Sequence, residues 1–105
     1  MRFEETKGFT KKIAISLSED EYQQLQRALI LRPLLGPVMP RTGGIRKLRW
    51  GEGGKGKRGG LRVIYYWHEV EATFYMLAAF SKNEQDDLTK KQERILRLLV
   101  EEEFS

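Results

Sequence analysis

The chain has 105 residues, 40% of them hydrophobic, which fits one small globular domain spanning residues 1–105. It carries 19 Lys and Arg residues against 15 Asp and Glu, one histidine and no cysteine, which excludes disulfides, thiolate metal sites and a two-histidine acid/base pair. No stretch approaches the roughly 20 apolar residues of a membrane helix, and the N-terminus lacks the apolar run of a signal peptide. A cytoplasmic protein without a metal, a cofactor or a membrane partner is therefore expected.

The first regular element has an ambiguous pattern. Phe9, Ile13 and Leu17 recur every four residues, as on one face of an amphipathic helix. Residues 13–17 also alternate between apolar and other side chains, as a strand would. Periodicity alone therefore leaves helix and strand open for this segment.

The next element is predicted to be a helix. Ser18 followed by Glu21 forms a capping box, and apolar residues then recur on one helical face until Pro33 ends the helix. Residues 33–44 contain three prolines and three glycines among bulky apolar residues. This composition predicts a connection without regular secondary structure.

From residue 45 onward the hydrophobic period changes to two, which predicts a meander of three antiparallel strands. The predicted strands are Ile45–Trp50, Leu61–Trp67 and Thr73–Phe80. In the first strand, Lys47 and Arg49 share the face opposite the predicted core.

A closing helix is predicted after the strands. Thr89 and Gln92 form a second capping box ahead of a helical apolar face. Asp86 and Asp87 precede this helix and are expected to stabilise its positive end. The order of elements predicts an α+β fold with the helices on one side of the sheet.

Positive charge is concentrated in one segment, Arg41–Arg62, with the sequence RTGGIRKLRWGEGGKGKRGGLR. It holds eight Lys and Arg residues and a single acid, whereas the rest of the chain holds eleven basic and fourteen acidic residues. Clustered cations release the counterions condensed on a phosphate backbone, so this segregation predicts a nucleic-acid ligand. A solvated basic loop is the alternative.

Three blocks, TGGIRKLRW, GKGKRGGLRVIYYW and SKNEQDDL, resemble in order and spacing the bacterial RelE-type toxins of the RelE/ParE superfamily, in particular the HigB-like subgroup. The resemblance implies a small RelE-like α+β fold: a strand near residues 2–5, two N-terminal helices, an antiparallel sheet and a C-terminal helix. On that basis Phe9–Leu17 is interpreted as a helix.

The resemblance also implies a function. It predicts the toxin of a type II toxin–antitoxin system, an endoribonuclease (mRNA interferase) that cuts messenger RNA at the ribosome and so inhibits translation. The implied partners are mRNA, the ribosome and a cognate antitoxin, which commonly carries a helix-turn-helix DNA-binding domain.

Basic residues can cleave RNA without a metal. The reaction requires removal of a proton from a 2′-hydroxyl and stabilisation of charge on the phosphorane-like transition state. A guanidinium offers a fork of donors to phosphoryl oxygens, and a crowded lysine has a lowered pKa. By position in the family, Arg62 is assigned to the scissile phosphate and Lys82 to a phosphate or catalytic role. Lys55 and Lys57, in the glycine-rich loop, are candidate general bases or phosphate contacts.

The candidate RNA-binding residues are Lys47, Arg49, Arg46, Arg58 and Tyr66. Tyr66 is a candidate for stacking on a base because it shares strand parity with Arg62, although core packing is an alternative for this ring. Two other functions remain open: a ParE-like protein-binding toxin that poisons DNA gyrase, and a non-catalytic RNA- or DNA-binding module.

Overall fold

The computed structural model describes residues 1–51, 60–85 and 87–104 of the chain. The helices and strands within these ranges are, in chain order, β1 (Arg2–Glu5), α1 (Lys7–Ser16), α2 (Glu19–Leu31), β2 (Arg46–Trp50), β3 (Leu61–His68), β4 (Thr73–Ser81) and α3 (Lys90–Phe104). The predicted α+β class is confirmed, and the segment with the ambiguous pattern, Phe9–Leu17, is helical as far as Ser16, within α1. None of the helices described is both long and apolar enough to span a bilayer.

The strands form one sheet in the order β1-β4-β3-β2. Strands β2, β3 and β4 are antiparallel neighbours, as predicted. Strand β1 pairs parallel to β4, with Arg2 opposite Thr73 and Glu5 opposite Met76. The sheet is therefore mixed. Parallel neighbours need a long connection, and here helices α1 and α2 carry the chain from β1 to the opposite edge of the sheet, where β2 begins.

The prediction that all helices lie on one side of the sheet is wrong. Helices α1 and α2 pack on one face, where Phe9 and Leu25 meet Val63 and Phe74 in a first core. Helix α3 covers the opposite face in a second core. Strand β3 reflects this arrangement, because its residues 61–65 are all buried. A strand covered on both faces does not alternate between buried and exposed side chains.

Side-chain caps fix where the helices begin. The predicted capping box of α2 is present, with Ser18 and Glu21 each accepting from the backbone of the other. The α3 box is also present: Thr89 Oγ1 accepts from the amide of Gln92 at 3.1 Å, and the Gln92 side chain accepts from the amide of Thr89 at 2.9 Å. Helix α1 is capped by Thr6, whose hydroxyl accepts from the amide of Phe9 and donates to a β4 carbonyl.

An irregularity in β4 decides which of its side chains face which core. Pairing with β3 shifts between Ile64 and Tyr65, so that Leu77 is an additional residue in β4. Met76 packs in the first core, whereas Leu77 and Phe80 both pack in the second. A bulge of this kind reverses the alternation of the strand beyond it.

The connection between α2 and β2 is held by a buried tyrosine. The Tyr65 hydroxyl donates to the Pro33 carbonyl at 2.8 Å and accepts from the Gly36 amide at 2.9 Å. A Cβ atom at Gly36 would lie 3.0 Å from the Tyr65 ring, so this approach requires glycine. The contact positions residues 37–40 beside β2.

Candidate functional site

A groove of about 550 Å³ lies beside β2 on the face covered by α3. Residues 37–40 form one wall, Lys47 and Arg49 of β2 lie along it, and Asp87 and Glu93 border it near α3. We call this the β2 groove. Lys47 and Arg49 share it because residues two apart in a strand point to the same face, as predicted.

Lys47 is paired with an acid in the free protein. Its ammonium donates to Asp87 Oδ2 at 2.9 Å, and Asp87 Oδ1 accepts from the amide of Leu88 at 2.8 Å. Burial alone would raise the pKa of Asp87, but the Lys47 and Leu88 hydrogen bonds and the charges of Lys47 and Arg49 outweigh it and hold this pKa below its ordinary value. Asp87 therefore pairs with a groove lysine in the free protein, and this link is not apparent from sequence.

Arg62 lies on β3, next to the groove residue Arg49. It is opposite Arg49 in the β2–β3 register and opposite Phe80 in the β3–β4 register. Only 5% of its surface is exposed, and it is not among the described residues that line the groove. The structure therefore brings Arg62 and Arg49 together on one sheet face, with Arg49 exposed and Arg62 buried.

Arg46 is separated from the other basic residues of β2. Its Nη1 donates to the carbonyl of Gly36 at 2.7 Å and to that of Leu34 at 3.3 Å. As a neighbour of Lys47 in a strand, it faces the other side of the sheet. These contacts favour a role in holding the connection that follows α2, and the RNA-binding role of Arg46 stays a prediction.

Lys82 lies at the same end of the β3–β4 hairpin as Arg62. Its backbone amide donates to the Gly60 carbonyl at 2.7 Å, one step beyond the pairing of Ser81 with Leu61. Its side chain is exposed. Three further candidates, Lys55, Lys57 and Arg58, lie outside the described residues.

Tyr66 is half-buried and packs against the second core. It is four residues from Arg62, a rise of about 13 Å along the strand. A Cβ atom at Gly44 would lie 3.1 Å from the Tyr66 ring, so the ring rests on the loop before β2. These contacts favour the packing role over stacking on a base.

A second group of basic residues, not predicted from the sequence, lies on α3. Lys90, Arg94 and Arg97 line a recess of about 320 Å³ together with Arg41 and Glu93. The spacing i, i+4, i+7 on α3 was a usable signal, because such residues share one helix face. Among the described residues, no group of three or more His, Asp or Glu side chains could hold a metal ion.

Comparison with known proteins agrees with this architecture. Residues 40–104 match the sequence model of the family described as the RelE toxin of the RelE/RelB toxin–antitoxin system. The fold is similar to that of the free Escherichia coli toxin RelE, solved as a double arginine-to-alanine variant, with a TM-score of 0.57 and 11% identity over 80% of this chain and 85% of that one. The family match spans β2, β3, β4 and α3, which include both basic surfaces, and shows that the chain belongs to the RelE family of toxins from toxin–antitoxin systems.

Proposed function

We propose that the protein is an endoribonuclease that cuts messenger RNA at the ribosome, in the cytoplasm, without a metal cofactor, and so inhibits translation. The observation that carries the proposal is the placement of Arg49 opposite Arg62, on the sheet face that also presents Lys47 to the β2 groove. Lys47, Arg49 and Arg62 therefore share one face of the sheet, and Lys47 and Arg49 line the groove in which RNA would bind.

The pairing of Arg49 with Arg62 favours the binding of an anion on the solvent side of these two side chains. Side chains directly opposite in antiparallel strands have Cβ atoms about 5 Å apart, and like charges there destabilise the sheet. A phosphate bound at Arg49 relieves this repulsion, and the relief grows as negative charge accumulates in the transition state. Arg62, fixed by burial, contributes a positive potential that needs no reorganisation during the reaction.

The cleavage chemistry uses the RNA's own 2′-hydroxyl as the nucleophile. Its oxygen attacks the adjacent phosphorus, its proton passes to a general base, and the bond from phosphorus to the 5′-oxygen breaks as that oxygen gains a proton. Lys82, Lys55 and Lys57 remain the candidates for proton transfer, with Arg58 as a phosphate contact. Lys47 contacts phosphate once it separates from Asp87.

Control of such a toxin depends on a partner. Membership of the RelE family implies an antitoxin. We propose that this antitoxin carries a helix-turn-helix DNA-binding domain and that mRNA on the ribosome is the substrate. The three sequence blocks support assignment of this nuclease to the HigB-like subgroup of RelE-type toxins.

Arg49→Gln is the primary test, because Arg49 is exposed and its removal leaves no hole in the core. Cleavage of mRNA in a translation extract, mapped by primer extension, is expected to fall about 100-fold or more, as for loss of a transition-state donor. Arg27→Gln, at an exposed position of α2 on the other face, is the matched control. Arg62→Gln is informative only where circular dichroism shows a folded protein, because this residue is buried.

Full cleavage by a folded Arg49→Gln protein would refute the assignment of the groove. DNA supercoiling by gyrase is assayed in parallel. Loss of supercoiling with intact mRNA would identify a ParE-like gyrase poison instead, and salt-sensitive RNA binding without any product would identify a non-catalytic binding module.

A further inference from the structure

The recess formed by Arg41, Lys90, Glu93, Arg94 and Arg97 lies outside the proposed cleavage site. Its four cations face one acid, and every described residue that lines it is charged. Protein interfaces have apolar or aromatic residues at their centres, and this recess has none among the described residues. Its composition is that of a surface for a polyanion.

The loop that supplies Arg41 is held in place by a buried threonine. Thr42 is fully buried, its hydroxyl donates to the Met39 carbonyl at 2.7 Å, and it accepts from the Ile45 amide at 3.0 Å. Arg41 itself has φ +60°, a left-handed conformation that residues other than glycine rarely adopt. Such a conformation persists only where its surroundings fix it, and it is often found at binding sites.

The same loop rests against α3. A Cβ atom at Gly43 would lie 3.9 Å from Val100 Cγ1, which places the loop in contact range of the helix. Arg97, one turn before Val100, has a buried Nε with no hydrogen-bond partner among the described residues. Burial of that donor is unfavourable unless it is compensated, and an anion at the exposed part of the guanidinium would offset the cost electrostatically.

The recess adjoins the β2 groove. Glu93 lines both, and Pro40, in the groove wall, immediately precedes Arg41. A strand leaving the groove past this wall therefore reaches the stripe of Lys90, Arg94 and Arg97. One guanidinium group can donate to two phosphate oxygens at once. Such contacts hold the RNA backbone without recognising the base sequence.

We propose that this recess is a second RNA site, which binds backbone phosphates of the single strand that continues from the β2 groove. The inference rests on the proposed function, since it takes RNA as the ligand. The recess contributes binding affinity and fixes the position of the RNA strand, and the β2 groove contributes the cleavage chemistry. Its ligand is defined by phosphate spacing rather than by base identity.

The test is the salt dependence of RNA binding by the full chain. Fluorescence anisotropy is measured with 2′-O-methyl RNA, which cannot be cut, in a long form that spans both surfaces and a short form that fills only the groove. For the double variant Arg94→Gln with Arg97→Gln, the slope of log affinity against log salt is expected to become shallower by about 1.4 for the long RNA, for two lost phosphate contacts. The short RNA should show no change.

The matched control is Lys11→Gln with Lys91→Gln, which removes the same charge from exposed positions outside the recess. Equal slopes for the two double variants would overturn the proposal, and so would an equal loss for the long and short RNA. A loss of binding to polyglutamate with unchanged RNA binding would also overturn it, in favour of an acidic polypeptide. Because the probe is not cleaved, the result is independent of whether Arg49→Gln abolishes nuclease activity.

Discussion

Replacement of Asp87 by Asn is expected to tighten RNA binding to the β2 groove. In the free protein the Asp87 carboxylate holds the Lys47 ammonium at 2.9 Å, at the position where a phosphate would compete for it. The substitution keeps the size of the side chain and removes its charge. Lys47 then meets an incoming phosphate without first losing an ion-pair partner.

The size of the effect follows from the exposure of the pair. The Asp87 side chain is 56% exposed and the Lys47 side chain 20%, so solvent screens much of their attraction. Ion pairs of this kind are worth about 0.2 to 1 kcal/mol. Release of Lys47 should therefore raise RNA affinity by about 1.4-fold to 5-fold, with the free energy of unfolding reduced by no more than about 1 kcal/mol.

The pH dependence provides an independent check. The pKa of Asp87 is held below its ordinary value of 3.8, so the pair contributes to stability above that pH and is lost as pH falls through the lowered value. Wild-type affinity should therefore rise toward that of Asp87→Asn in acid, and the variant should show no such rise from this group.

The assay is anisotropy with uncleavable 2′-O-methyl RNA at fixed salt, combined with urea denaturation. Asp20→Asn, an exposed acid on α2, is the control for the change in net charge. Weaker binding by Asp87→Asn would show that Asp87 positions Lys47 for the ligand, and unchanged binding would show that the pair does not compete with phosphate. Either result would refute the reasoning.

Three further changes test other parts of the structure. Tyr65→Phe removes the hydroxyl that holds residues 33–36 and should lower the free energy of unfolding by about 1 to 3 kcal/mol, measured by urea denaturation; an unchanged midpoint would contradict that role. Arg46→Gln should reduce stability but leave mRNA cleavage intact, and a cleavage defect in the folded variant would return this residue to the RNA site. Lys12→Gln should raise the pKa of Glu84 from about 2 toward 4.5 in an NMR titration, because the Lys12 hydrogen bond is the main cause of the lowering; a pKa that stays near 2 would assign it to the Ser81 backbone.

Local patterns were sufficient for most of the secondary structure. The capping boxes at Ser18 and Thr89 act within four residues, so they are visible in any sequence window of that length. The two-residue period of β2, with Lys47 and Arg49 on one face, is equally local. The strand Arg2–Glu5 and the helical state of the segment after it came from the family resemblance, because their own patterns are short or ambiguous.

The sequence alone determined the fold class, the order of the elements from α2 onward and the two groove cations, because these depend on periods and caps spanning a few residues. Tertiary structure decided that α3 covers the face opposite α1 and α2, that Arg46 faces away from the groove, and that Asp87 meets a lysine 40 positions earlier in the chain. It also brought Arg41 to the basic stripe of α3. Such contacts depend on how the whole chain buries its apolar surface, and no local pattern carries that information.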